Sequence, residues 1–153
     1  MEGYEVLGTL IATLSIILIP LILIVLAVAI VSIIAQWNFF KKAGKNGWEA
    51  LIPYYNTWIL VEISGLNWWY FLIILAPTIL TMIGIAALSG IASLASRFVY
   101  FMIYYNIAKK TRQNEILFGI LGIFIPIVPT MILGFSKNIT YDTNIEVSSN
   151  GVF

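Results

Sequence analysis

The chain has 153 residues, of which 61% are hydrophobic and only 10% charged, with a net charge of +1. Soluble domains carry roughly 25% charged residues, and a water-exposed fold this poor in charge would aggregate. The composition therefore implies an integral membrane protein that has the lipid bilayer as its partner, and it offers no basic field for nucleic acid.

Cysteine and histidine are both absent. The usual zinc, copper and haem ligands are missing, as are the cysteine nucleophile and the histidine base. No catalytic residue, cofactor site or metal site is expected.

In chain order, no charge falls between Glu5 and Lys41, a run longer than the ~20 residues that one crossing needs. Pro20 within it lacks an N–H and predicts a bend. Glu2 and Glu5 replace the lysines of a signal peptide, and the run continues past Ala27-Val28-Ala29. An uncleaved anchor is the expectation. A second apolar block starts at Trp68-Trp69-Tyr70 and continues to about Leu88, its aromatic start suiting a membrane interface. A third runs from about Gly90 to Ala108 with Arg97 inside it, and a fourth from Ile116 to Phe135 with Pro126 and Pro129. These blocks and their loops make one transmembrane domain, residues 1–136, followed by a polar C-terminal tail, 137–153. Ile139, Tyr141, Ile145 and Val147 alternate weakly in that tail, which is expected to be loose.

Residues 49–66 are apolar but contain Glu49, Pro53, Asn56 and Glu62. Charge decides their placement. Lys41, Lys42 and Lys45 follow the first block, and Lys109, Lys110 and Arg112 follow the third. Both clusters belong on the cytoplasmic side, so an even number of crossings separates them. Blocks two and three supply that number, and 49–66 must not cross. The expected architecture is all-α: four transmembrane helices in the cell membrane, both termini outside the cytoplasm, and a cytoplasmic-side interfacial or re-entrant segment at 49–66.

The stretch that joins the first block to this segment is chemically distinct. Gly44 and Gly47 permit the positive φ of a sharp turn, Trp48 sits at headgroup depth or packs on the bundle, and the lysines fix orientation during insertion. The residues Trp37, Gly44, Gly47, Trp48, Pro53, Tyr55 and Asn56, followed by Trp68 and Trp69, resemble the signature of a family of small bacterial integral membrane proteins of unknown function. Some of its members carry a signal peptidase I label. The resemblance covers roughly residues 37 to 135 and implies a shared fold without an established activity. The label itself asks for a serine beside a neutral, buried lysine. The lysines here occupy basic loops, whereas Ser89, Ser93 and Ser96 lie near the other end of the bundle.

Glu62 and Arg97 are the two charges nearest hydrocarbon, either as a polar path or ion pair or as interfacial groups. Ala86, Gly90, Ala92, Ser93 and Ser96 form a small-residue stretch that Gly119 and Gly122 echo. Internal helix packing accounts for half of it, and a homo-oligomer or a membrane protein partner could use the rest. Tyr54-Tyr55-Asn56 recurs as Tyr104-Tyr105-Asn106 without matching surroundings, which marks coincidence. The function expected is a non-enzymatic accessory membrane protein acting through partner contacts, in envelope assembly, secretion or immunity. The alternative is a small transporter or channel subunit with a polar path near Glu62.

Overall fold

The computed structural model describes residues 2–144, so Ile145 and Val147 of the weak alternation lie outside the described residues. Those residues form helices α1 (Glu2–Lys42), α2 (Tyr55–Ser64), α3 (Trp69–Met82), α4 (Ala86–Lys110), α5 (Glu115–Phe124) and α6 (Ile127–Phe135), with a 3₁₀ helix at Gly47–Leu51 and no strand. The all-helical class is as the hydropathy implied. Two helices, within Gly3–Lys42 and Ala86–Lys110, are long and apolar enough to cross a membrane. Four spans of that kind are not found among the described residues.

Helix α1 has 41 residues and continues through Pro20, which makes it roughly 60 Å long. Between Gly3 and Ile34 none of its residues is buried by the chain itself, whereas Ala35, Phe39 and Phe40 are fully covered. It stops at Gly44, whose φ of 76° permits the closing bonds Gly44 N–H to Lys41 O (3.1 Å) and Lys45 N–H to Phe40 O (2.8 Å).

The core gathers around that end of α1. Phe39 and Phe40 share one buried cluster with Ile59, Leu60 and Ile63 of α2, Val99, Ile103 and Ile107 of α4, Phe118 of α5 and Leu133 of α6. Residues 49–66, expected at an interface or as a re-entrant element, therefore contribute central packing. Glycine fits the C-terminus of α2 for the same reason as at Gly44: Gly65 has φ 79°. Helix α3 pairs with the first half of α4 as a hairpin and buries none of its own residues fully.

The fourth apolar block, expected as one span, is two short helices. Pro126 cannot supply an N–H and disfavours helical geometry at Ile125, whose φ is −142°. Helix α5, capped by the Asn114 side chain accepting from Leu117 N–H at 3.1 Å, runs back antiparallel to α4. Along it Gly119 faces Phe101, Gly122 faces Tyr104, and Ile123 O meets Arg97. Helix α6 then returns along α1, where Gly134 lies against the Ala35 backbone and Lys42 reaches Leu133 O. The hairpin thus begins and ends at the same end of the bundle.

The tail is also not loose where it is described. Ile139 is buried, Tyr141 OH donates to Ile63 O at 2.6 Å, and Asp142 N–H donates to Lys110 O at 2.9 Å.

Candidate functional site

Both basic clusters converge on the last turn of α2. Lys45 forms an ion pair with Glu62, and the next residue, Ile63, accepts from Lys110 Nζ at 2.9 Å and from Tyr141 OH. Lys110 also lies over the Tyr141 ring, 5.7 Å from its centroid. Burial pushes the Tyr141 hydroxyl up to about 12, so it stays protonated as a donor. Lys42 Nζ donates to Leu133 O (2.7 Å) and Ser136 O (2.6 Å) at the end of α6. Arg97 donates to Ile123 O (2.8 Å) at the end of α5. Three cations thus complete the exposed carbonyls of three different helix C-termini, where the macrodipole favours positive charge. Glu62 and Arg97, singled out as a pair in the sequence, have separate partners and are not brought together.

The signature residues fall into two groups. Gly47 is buried without a positive φ; its missing side chain is required because the Trp37 ring fills the place of a Cβ. Only Gly44 of that pair has the turn geometry expected of both. Pro53 precedes a strained Tyr54, φ 65°. Trp48 is half-exposed and stacks on Tyr55, their ring centroids 6.3 Å apart, so it is not the buried anchor that docking of this segment allowed. Trp68 and Trp69 stack on one another at 3.9 Å, and both are exposed. Glu49, next to Trp48, is buried: its Oε1 accepts from Asn46 Nδ2 at 3.4 Å and its Oε2 has no hydrogen-bond partner.

Polar side chains from four helices gather at an open cleft of about 230 Å³. Gln36 of α1, Asn56 and Thr57 of α2, Tyr100 and Tyr104 of α4, and Thr130 of α6 line it. Ser32 extends it along α1, and Leu60, Pro126 and Ile127 supply apolar wall. Tyr104 OH and Thr130 Oγ1 are 2.7 Å apart and buried, and Thr57 Oγ1 donates to Asn56 Oδ1 at 3.1 Å. Helices α2 and α6 both begin at this cleft, with Asn56 N–H already bonded to Ile52 O and Val128 N–H to Ile125 O (3.0 Å each). Its lining is neutral, and among the described residues no three Asp, Glu, Cys or His side chains gather to hold a metal.

A family model for a family of unknown function, DUF5684, matches residues 48–144. The chain belongs to this family. The DUF5684 match begins at Trp48, inside the signature stretch, and takes in the 3₁₀ helix and α2 to α6, so α1 lies outside it. The DUF5684 segment therefore carries most of the cleft and both cations that contact α2 and α5 from α4. No curated protein and no solved structure matches the chain.

Of these features, sequence reasoning reached Asn56 and Glu62 but not Lys42, Lys110, Glu49 or the Tyr104–Thr130 pair. A signal for Lys110 existed in its place in a basic cluster, but its partner carbonyl is 47 residues away. The repeated Tyr-Tyr-Asn carried no common role: Tyr104 and Asn106 are buried, whereas Tyr54 and Tyr55 are exposed.

Proposed function

We propose that this protein is a non-enzymatic accessory membrane protein that acts through contact with a partner membrane protein, in a role of the envelope-assembly, secretion or immunity type. One observation carries the reading. Of the small-residue stretch, Gly119, Gly122 and Ser96 are used inside the fold, while a Cβ at Gly90 would meet nothing within 4 Å, and Ala86 and Ser93 are exposed. A small-residue face left open in a bilayer lets another helix approach closely. Ser89 and Ser93 donate to carbonyls of their own helix (2.7 Å each), and Lys42 and Lys110 are committed as caps, which supports the non-enzymatic part.

The convergence of both basic clusters on α2 supports their sharing the cytoplasmic side. On that reading α1, α3 and α4 cross, 49–66 and the α5–α6 hairpin are re-entrant, and the N-terminus alone is outside. This replaces the four crossings and two external termini expected from hydropathy.

The test is co-purification of the full chain and Gly90→Leu from native membranes. A stoichiometric partner or second copy that Gly90→Leu loses is the expected result. The polar cleft favours a second reading, a small transporter: partner-independent flux in liposomes would put that reading first.

A further inference from the structure

We propose that the cleft between α1, α2, α4 and α6 is a binding site for an uncharged, hydroxylated group of about the size of glycerol or one sugar ring. The proposal is independent of the accessory role, because it concerns the cleft between four helices and not the open face of α4.

Location makes the site unusual. Along α1, Gln36 stands about 9 Å and Ser32 about 15 Å from Lys42 at ~1.5 Å per residue. With Lys42 among the headgroups, the cleft lies below the interface, where an unpaired amide or hydroxyl is costly. The Asn56 amide accepts from Thr57 Oγ1, and among the described residues neither its NH₂ nor that of Gln36 has an acceptor. A polar group in the cleft would supply their partners. The cleft's volume, about 230 Å³, leaves room for a small molecule.

The lining selects the chemistry. Its polar groups are amides, hydroxyls and phenols, which offer donors and acceptors together without a full charge. A hydroxylated ligand matches that mixture, since each of its oxygens can donate and accept. An ion would lose its hydration without a countercharge, because no charged side chain lines the cleft. A purely apolar ligand would leave Gln36, Asn56 and Thr57 unpaired. Ser32 opens the cleft toward the part of α1 that the chain leaves bare, so the group could arrive on a lipid. Its aqueous counterpart has the same chemistry.

The experiment uses the full chain in phosphatidylcholine nanodiscs and follows Tm with increasing ligand, because a ligand of the folded state raises Tm in a saturable way. Diacylglycerol and monoglucosyl diacylglycerol are the lipid probes, methyl glucoside is the aqueous probe, and phosphatidic acid is the charged control. A saturable rise with at least one neutral probe is expected, and which probe gives it identifies the source. Half-saturation should move at least tenfold higher in Gln36→Leu/Asn56→Leu, and in the gentler Thr57→Val the shift should be in the same direction. Thr57→Val alone carries the comparison if the double variant does not fold. The proposal is overturned if no neutral probe gives a saturable rise, which would leave the cleft to water. It is equally overturned if the variants respond as the parent does, or if phosphatidic acid acts more strongly than every neutral probe.

Discussion

Lys110 Nζ donates to the carbonyl of Ile63 across 2.9 Å, joining the last turn of α4 to the last turn of α2. Among the described residues no carboxylate pairs with this buried lysine; a helix C-terminus and the face of Tyr141 receive its charge. A charged hydrogen bond is worth ~1.5–3 kcal/mol and a cation at a helix end up to ~2 kcal/mol, but desolvation of the ammonium offsets part of both. Lys110→Met should therefore cost about 1–2 kcal/mol in detergent-solubilised unfolding. Tyr141→Phe should cost less alone and more in the Lys110→Met background, because Ile63 O then loses both donors. Additive losses would mean that the two side chains do not share that carbonyl.

Lys41 and Lys42 are neighbours in sequence with different work. Lys41 is exposed and lies over the Trp37 ring at 5.5 Å, whereas Lys42 holds the end of α6 through two carbonyls. Lys42→Gln should lower stability by about 1–2 kcal/mol, and Lys41→Gln by less than about 0.5 kcal/mol. The expectation that both lysines serve orientation alone applies to Lys41. Equal losses in chemical denaturation would remove the capping role of Lys42.

Three glycines separate three kinds of constraint. Gly134 touches the Ala35 backbone, which cannot yield as a side chain can, so Gly134→Ala should part α6 from α1 and cost about 3 kcal/mol or more. Gly44→Ala should cost about 1 kcal/mol through its φ of 76° alone. Gly47→Ala forces the Trp37 ring aside, and Trp37→Leu in the same chain should recover part of the loss. Trp48→Ala, at a half-exposed position, should change stability least of the group. Thermal melts of the five variants check the order.

The helical class and the two helices long and apolar enough to cross a membrane were legible because a charge-free run and an apolar composition are properties of neighbouring residues. The capping of helix ends was not, since Lys42 and Leu133 are 91 residues apart and only the folded chain brings them together. Pro126 did carry its message. It marked a break in the fourth block, but a count of apolar length treated the block as continuous. The central role of α2 was hidden by Glu62, whose charge read as interfacial although Ile59, Leu60, Val61 and Ile63 around it are buried. Asn56 stood out in the signature, but the cleft needed Gln36 and Tyr100 from distant segments before it could be seen.

Topology offers the sharpest contrast between hydropathy and packing. Four crossings would put the two chain ends on one side, whereas the α5–α6 hairpin returns the chain to the basic end. There Tyr141 meets Ile63, Asp142 N–H meets Lys110 O, and Arg112 lies 3.4 Å from Asp142. The chain contains no cysteine, so single cysteines at Gly3, Lys45, Gln113 and Asn144 report position without background. Impermeant maleimide on intact cells should label position 3 and spare 45, 113 and 144, and permeabilisation should expose all three. Labelling of 144 together with 3 would restore the fourth crossing, and the contacts of Tyr141 and Asp142 could not then exist in the membrane.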